Sequence, residues 1–571
     1  METQGYILGL SALAHDPAAA LLGPRGEVAA IEEAKMVRSR EATGIPREAI
    51  RFCLEHAGIS WRDVSCVAVA SRPKRAWSRS AGFRVRQTAV APVASGYYFS
   101  KGLGELGREL NNLRILESLA GEPRGRVIPL DHQFCHASSA FYGSPFDRAL
   151  ILSLDEQGDG QCGIVALGEG TALRVLETIP FPHSLAWIYS QVTELLGYAP
   201  HKDEHKLQWL SFSGTPDYED VFLDAMRRAS TSKPHLNRSY FSRGMAGRLA
   251  FSRKLRSRLG LPENREQPIH ESEQAKIAAS VQRACARIAA EYADSLRRRH
   301  GAPNLCLAGG LFLNPLLVAA VERGSGFENI FVQPAAGNEG TALGAAWSLW
   351  HGKLRRPRIA PMSHIYCGPN YTNDEIKQVL DNCKASYRWV NSDEQKIEDT
   401  LRLLRSGKIV AWYQGAAEFG PRALGDRSLL ASPWASYVKE NLNDYVKHRE
   451  SYRPFALAVP AEDCAQYFDA SPAARFMASM AIARPQAREM LKDFLLPGGE
   501  LRLHVVERAA NPLFWALLKK SGEGAPAPLL VNTSFNLFGE PLVVTPRDAV
   551  RSYFCSGTDA LVAGNFILTK S

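Results

Sequence analysis

The chain has 571 residues, 45% of them apolar and 22% charged, with a formal net charge of +9. That length exceeds a single hydrophobic core, so two or more domains are expected, and the composition is globular rather than disordered or fibrous. Ten scattered cysteines without a C-x-x-C pair argue against a disulfide framework and a thiolate zinc site.

In chain order, the first segment reads as three strands, Tyr6–Leu10, Ala18–Leu22 and Glu27–Ile31, with His15-Asp16-Pro17 in the first polar turn. Because the chain opens directly on a strand, no signal peptide is expected. A helix follows over Arg47–Ala57, with Pro46 at its start, and then a strand at Cys66–Ala70. From Ser71 to Gly104 every charged residue is basic: Arg72, Lys74, Arg75, Arg79, Arg84, Arg86 and Lys101. That stretch reads as an irregular insertion. From His235 to Pro262 the charges are again all basic, from Arg238, Arg243 and Arg248 through Arg253, Lys254, Arg256 and Arg258. Such runs make either a solvated face or a rim that attracts an anionic small molecule. No nucleic-acid-binding motif accompanies them, so nucleic acid is not an expected partner.

The strand Arg126–Leu130 leads into Asp131-His-Gln-Phe-Cys-His136, which starts a helix. His132 and His136 are four apart and share one helix face, about 5–6 Å apart at Cβ. One metal ion could hold both, and Asp155, at the end of the apolar run Ala149–Leu154, could add a carboxylate. The alternative is a chance pairing on a helix face. Gln133 stands where the zinc-protease motif has Glu, so a Glu-assisted water attack is not expected. Ala149–Leu154 opens a second hairpin through the turn Asp155–Gly160 into Gly163–Leu167. Two hairpin blocks with polar turns suggest an internal duplication. Helices are predicted over Ile188–Leu196 and Glu273–Arg299. The strand Asn304–Ala308 breaks at Gly309-Gly310, and another at Phe331–Val332 leads through Pro334–Gly340 to a helix over Thr341–Leu349. The uncharged stretch Leu305 to Val321 carries Gly309, Gly310, Asn314 and Pro315, so it is no membrane span. A reduced, cytoplasmic protein of α/β layers is expected.

Gly352–Pro361, short, basic and proline-punctuated, is the best linker candidate. A second α/β unit follows: helix Ile397–Leu404, strand Ile409–Tyr413, the loop Gln414 to Arg427, strand Leu529–Val531, the turn Asn532–Glu540, strand Leu542–Val544, a helix from Pro546 and strand Asp559–Val562. Its loop Phe419-Gly-Pro-Arg-Ala-Leu-Gly425-Asp-Arg-Ser428 presents Arg422 and Arg427. Lys447, Arg449, Arg453 and Arg502 follow downstream. Guanidinium forks suit phosphate or carboxylate, each charge-assisted bond contributing roughly 1.5–3 kcal/mol. The alternative is pairing with neighbouring acids, Arg427 near Asp426 and Arg449 with Glu450. Asn532 to Asn536 offers amides and hydroxyls on a turn after a strand.

His-x-x-x-His, then Leu154-Asp-x-Gln-Gly158, Ala308-Gly-Gly-Leu-Phe-Leu-Asn314, Gly340-Thr-Ala-Leu-Gly-Ala-Ala346, Phe419-Gly-Pro-Arg-Ala-Leu-Gly425, Tyr452-Arg-Pro-Phe-Ala456 and Val531-Asn-Thr-Ser-Phe-Asn536-x-x-Gly-Glu-Pro541 occur in this order. Across nearly its whole length the chain resembles the O-carbamoyltransferases of the nodulation-protein-U type, with the tobramycin and cephamycin carbamoyltransferases as relatives. The resemblance implies a duplicated actin-like ATPase fold over residues 1–352, akin to the threonylcarbamoyl-transfer protein, with the metal and acceptor sites. It implies a YrdC-like α/β domain over residues 363–571 that forms carbamoyl-adenylate from carbamoyl phosphate and ATP with Mg. The carbamoyl group then passes to the hydroxyl of a small-molecule alcohol, possibly an anionic one.

By the same resemblance, His15 is the general base, its alternative being a turn histidine bonded to backbone. His132, His136, Asp155 and Asn338 hold a divalent metal, iron being favoured over zinc or manganese, as a Lewis acid. Arg40, Gly309, Gly310, Asn314 and Lys206 hold the nucleotide or carbamoyl-adenylate. Arg422, Lys447, Arg449, Arg453, Arg502, Asn532 and Ser534 hold carbamoyl phosphate and ATP. Three departures stand out: Asn338 where the family has Asp, with Glu339 beside it; Arg40 in place of Lys; and His205-Lys-Leu-Gln-Trp-Leu210 in place of Gly-Lys-x-Met-Gly-Leu. The competing readings are an actin-fold kinase, a tRNA carbamoyl-modifying enzyme and a non-catalytic nucleotide-binding relative.

Overall fold

A computed structural model of the chain describes residues 5–13, 15–26, 28–79, 92–121, 126–227, 232–241, 251–262 and 267–570, with side chains in the helix Pro92–Ala120 from residue 102 onward. Arg84, Arg86, Arg243, Arg248 and the side chain of Lys101, from the two basic runs, lie outside the described residues. The chain groups into two compact units. The first holds residues 1–27, 43–46 and 59–361; the second holds 28–42, 47–58 and 362–571. Residues 28–42 and 47–58, expected with the N-terminal domain, therefore group with the C-terminal part.

The first unit contains β1 (Tyr6–Ser11) and β2 (Ala18–Leu22), while β3 (Val28–Glu32) belongs to the second. β4 (Val64–Val69) and β5 (Val127–Pro129) follow. β1 pairs antiparallel with β2 and parallel with β4, which pairs parallel with β5. A second sheet repeats this plan: β6 (Arg148–Gly158) pairs antiparallel with β7 (Gln161–Glu169) and parallel with β9 (Asn304–Ala308), which pairs parallel with β10 (Asn329–Val332). β8 (Ala172–Pro180), which the sequence reading lacked, extends the meander beside β7. The repeated order supports the internal duplication at the level of topology. β1 and β6 are central strands, and their apolar runs are buried along almost their whole length.

The helices His132–Gly143 and Thr341–Trp347 pack together, the first on β6 and the second on β1. The stretch after Ala70 is not wholly irregular. It contains the helix Pro92–Ala120, whose signal is Leu106, Leu110, Leu113 and Leu116 at helical spacing, beyond the Arg-rich part. β6 also outruns its expected end at Leu154. It continues to Gly158 through a register shift, so Asp155 lies in a strand irregularity and only Asp159-Gly160 turns the chain.

The second unit is built on a ten-stranded mixed sheet. Its strands are β11 (Arg388–Trp389), β12 (Val410–Tyr413), β13 (Arg427–Ala431), β14 (Ala456–Pro460), β15 (Phe468–Asp469), β16 (Met480–Ala483), β17 (Glu500–Val506), β18 (Leu530–Ser534), β19 (Ala560–Ala563) and β20 (Phe566–Thr569), in the order 11-20-19-12-13-18-14-17-16-15. Separate apolar cores cover its two faces, one around Leu457, Leu503 and Val531, the other around Trp412, Ala458 and Leu530. The expected strand Leu542–Val544 is absent. That segment is strapped down instead, Val543 N donating to Phe535 O and Tyr413 Oη to Val544 O. The early segment is tied to this unit by buried polar bonds. Ala30 N donates to Cys367 O, Lys35 Nζ to Glu418 O and Gly420 O, and Gly420 N to Glu32 Oε1.

Candidate functional site

In the first unit, the imidazoles of His132 and His136 and the carboxylate of Asp155 each offer a ligand atom, all within 4.8 Å of one another. Asp131 caps the helix by accepting from Phe134 N, and Asp159 accepts from His132 N at 2.9 Å and from Arg72 N. These bonds seat the first turn. His132 Nδ1 lies 3.1 Å from Ala70 O, which directs Nε2 toward Asp155 Oδ2 at 3.3 Å. A backbone carbonyl on the far ring nitrogen is how a ligating histidine is usually held. Asp155 is fixed from the other side by Gly310 N, 3.2 Å from Oδ1.

Burial presses the His132 ring down, but the hydrogen bond and charge of Asp155 outweigh it and lift the ring to about 9. Burial also opposes the charge on Asp155, yet the two histidines hold it well below the carboxylate range. His136 is pushed down by burial first and then by the charge of His132. Neither ring nitrogen of His136, fully buried, has a protein hydrogen bond; Nε2 stands 3.7 Å from Asp155 Oδ2. Asn338 adds a buried Oδ1 without a partner. Orphaned buried nitrogens and an orphaned amide oxygen around one carboxylate are costly unless a cation satisfies them. The residues present therefore fit a divalent ion.

His15 lies beside this cluster, with Nδ1 2.8 Å from Asp16 Oδ2 and 3.1 Å from Asn338 Nδ2. Its bond to Asp16 raises its pKa against the effect of burial. Gln133, fully buried, accepts from Ser153 Oγ at 2.8 Å and is a structural amide. Gly309 must be glycine: its φ is +95° and a Cβ would stand 2.2 Å from Leu154 O. Asn314 is engaged within the fold. Its Oδ1 accepts from Leu316 N and Leu317 N as a helix cap, and its Nδ2 donates to Gln282. Lys206 pairs with Asp203 at 3.3 Å and lies over the Tyr198 ring.

Arg40, expected beside Gly309 and Asn314, has its described partners in the second unit. It donates to Glu540 O, and its charge acts on Lys447. In that unit Arg502, Ala456 and Asn532 are in register across β17, β14 and β18. Small Ala456 leaves room between the two polar side chains. Burial, followed by Arg422, Arg449 and Arg453, presses Arg502 well below the usual guanidinium range. Burial and then Arg453 press Arg422 to about 10 and Arg449 to about 9. Burial and then Arg449, Arg453 and Arg40 press Lys447 well down. Arginine keeps its proton in proteins, so this mutual pressure is positive charge gathered in one place, ready for an anion. Arg449 Nε is held by Asn443 Oδ1 at 2.9 Å and its guanidinium lies over Phe455, while Nη2 is buried without a partner. Lys447 is anchored by Ser534 and Asn536, and Asn532 bridges Ala423 O and His504 Nδ1 with an orphaned Oδ1.

Arg427 is not part of that wall. It is fully buried over the Tyr413 ring and donates to the carbonyls of Pro369, Gln414, Gly415 and Asp426. Sequence reasoning also missed Arg79, Asp131 and Asp159 as supports of the histidine helix, with Arg79 Nη1 2.8 Å from Asp131 Oδ2. Arg79 left a trace only as one cation of the basic run, Asp131 as the residue before the helix and Asp159 as part of a polar turn. Within the described residues, no helix is long and apolar enough to cross a membrane, and all ten cysteines are free thiols.

Residues 6–347 match the model of the carbamoyltransferase N-terminus, and residues 401–570 that of the carbamoyltransferase C-terminus. The chain therefore belongs to the carbamoyltransferase family, and its class is that of an enzyme. It is 33% identical to the Synechocystis sp. protein sll1178 over 99% of this chain and 97% of that one. It is 30% identical to nodulation protein NolNO of Sinorhizobium fredii over 97% of this chain and 79% of that one. Identity to the 3'-hydroxymethylcephem-O-carbamoyltransferase of Streptomyces clavuligerus is 30%, over 51% of this chain and 54% of that protein.

Proposed function

We propose that the protein is an ATP-dependent O-carbamoyltransferase with two separate sites. The similarity to the Streptomyces 3'-hydroxymethylcephem-O-carbamoyltransferase supports oxygen as the acceptor atom. The repeated sheet plan of the first unit supports an actin-like fold there. The second unit is read as YrdC-like, the domain that makes carbamoyl-adenylate. The observation that carries the proposal is the set of cations there. Burial and then the charge of Arg453 lower Arg422 and Arg449, and burial and then Arg422, Arg449 and Arg453 lower Arg502, so four guanidinium groups share one place suited to a multiply charged phosphate.

Carbamoyl phosphate, ATP and one water react at that site: water cleaves carbamoyl phosphate to carbamate and phosphate, then a carbamate oxygen attacks the α-phosphorus of ATP, pyrophosphate leaves and carbamoyl-adenylate forms. Arg422, Arg453 and Arg502 neutralise the phosphates, Arg449 orients them through its unpartnered Nη2, and Lys447 with Ser534 and Asn536 holds the turn that closes the wall. Arg40 joins this site rather than the N-terminal one. In the first unit His132, His136, Asp155 and Asn338 would hold a divalent ion. Two imidazoles, a carboxylate and an amide oxygen suit iron(II), manganese or zinc. Such an ion supplies Lewis-acid polarisation of a substrate oxygen when bound. His15 takes the proton of the acceptor hydroxyl, with Asp16 stabilising the imidazolium formed. Gly309 and Gly310 let backbone approach the adenylate.

The test is carbamoyl-phosphate-dependent exchange of labelled pyrophosphate into ATP. Exchange is expected in the intact protein, and its absence would remove the adenylate from the account.

A further inference from the structure

The transfer site holds a second imidazole that the chemistry above does not use. His201 stands on the loop before the helix Glu204–Leu210, its ring centroid 6.0 Å from that of His15. Its backbone is in the left-handed region, with φ of +64°, which a non-glycine residue keeps only when its surroundings enforce it. The enforcement is visible. His201 N donates to Glu204 Oε1 at 2.6 Å, and His201 Nδ1 lies 3.1 Å from Glu156 Oε2. Ser190 Oγ lies 3.2 Å from Glu156 Oε2 and 2.8 Å from Glu204 Oε1, its single hydrogen shared between them, which links the two carboxylates into one brace. Glu156 directly follows Asp155 on β6, so the brace is keyed to the candidate metal cluster by one peptide bond.

Two carboxylates and a hydroxyl thus spend their bonds to hold one imidazole in a strained pose. Yet the imidazole is not buried: its side chain is 52% exposed. Among the described residues no hydrogen bond engages Nε2. The bond to Glu156, set against burial, lifts the ring to about 9, so at neutral pH Nε2 carries a hydrogen as well as Nδ1. A braced N–H donor is thereby presented beside the proposed base, on the loop just before the helix Glu204–Leu210.

We infer that His201 is a specificity-determining residue that holds a second oxygen of the acceptor, on the carbon next to the hydroxyl being carbamoylated. The inference rests on the proposed transfer chemistry. In that step the acceptor oxygen bonds to the carbamoyl carbon, its proton passes to His15, and the bond from that carbon to the adenylate oxygen breaks to release AMP. With the two rings 6.0 Å apart between centroids, an acceptor held by its hydroxyl at His15 brings an oxygen on the adjacent carbon to the side of His201. The acceptor class is therefore a vicinal diol or an α-hydroxy acid rather than a simple alcohol.

The experiment uses the full chain with labelled carbamoyl phosphate, ATP and three probes: 1-propanol, 1,2-propanediol and lactate. The expected result is a kcat/KM at least about tenfold higher for the diol or the hydroxy acid than for 1-propanol, about 1.4 kcal/mol for one added hydrogen bond. The diol and lactate arms tell a neutral oxygen from an anionic one. His201→Ala should bring all three probes to the 1-propanol level while leaving the 1-propanol rate and pyrophosphate exchange unchanged. His201→Asn, which tolerates the left-handed backbone and keeps an N–H donor, should retain part of the preference. The inference is overturned by a wild type that exchanges pyrophosphate but shows no preference or carbamoylates none of the probes. It is also overturned by a His201→Ala variant that keeps the preference or loses the 1-propanol rate as well. A wild type without exchange overturns the adenylate reading too, and the exchange assay tells that failure apart.

Discussion

Gly158→Ala should empty the metal cluster without touching a ligand. The added Cβ would stand 2.0 Å from His132 Cδ2, 2.4 Å from Cγ and 2.7 Å from Nε2. Carbon atoms need roughly 3.5 Å, so the ring must move by about 1.5 Å. A shift of that size breaks the Nδ1 bond to Ala70 O and the Nε2 contact with Asp155. Losing a neutral and a charge-assisted bond costs about 1 and about 2 kcal/mol, and overpacking adds about 1–3. The total, on the order of 4–6 kcal/mol, exceeds the gain from removing one glycine's freedom. The assay is metal content by plasma mass spectrometry after reconstitution with iron(II), alongside thermal unfolding. Near-stoichiometric metal is expected in the parent and in Gly107→Ala, where a Cβ meets nothing within 4 Å. Little metal and a midpoint lower by roughly 6–9 °C are expected in Gly158→Ala. Full metal content with an unchanged midpoint in Gly158→Ala would refute the packing argument.

Asn338→Asp should tighten metal retention by about tenfold, because it adds a charge where an unpartnered amide oxygen now sits. Competition with a chelator measures this, and weaker retention would deny the position a ligand role. His504 is buried and held neutral, its pKa pushed from 6.5 to about 3. A depressed pKa stabilises the fold above 6.5, and that contribution is lost as pH falls from 6.5 toward 3. The loss approaches one proton, or about 1.4 kcal/mol per pH unit. Denaturant unfolding of wild type and His504→Gln between pH 7 and 4 should therefore give a shallower slope in the variant, and equal slopes would contradict the burial argument.

The sequence brought out the candidate metal cluster of His132, His136 and Asp155 because its signal is local. Two histidines four apart on a helix and an acid after an apolar strand survive any change of register. The strands Ala18–Leu22 and Asn304–Ala308 were legible to the residue because polar turns bound them on both sides. Asp155 was expected at a turn, since a run of Asp, Glu, Gln and Gly resembles one, but cross-strand pairing carries β6 through it. Tertiary facts left no local trace. Arg422 and Arg427 look alike in sequence, yet one joins the cationic wall and the other is spent on four carbonyls under Tyr413. Arg40 lies far from residue 540 along the chain, so its place in the second unit was beyond periodicity and spacing. His201 was invisible for the same reason, being one histidine in a polar loop until its braces are seen.

Metal content and pyrophosphate exchange, measured together on His136→Ala and Arg449→Ala, test the division into two sites most directly. The account predicts that His136→Ala loses its metal and still exchanges pyrophosphate when given carbamoyl phosphate, whereas Arg449→Ala keeps its metal and loses exchange. Both properties falling together in either variant would contradict it.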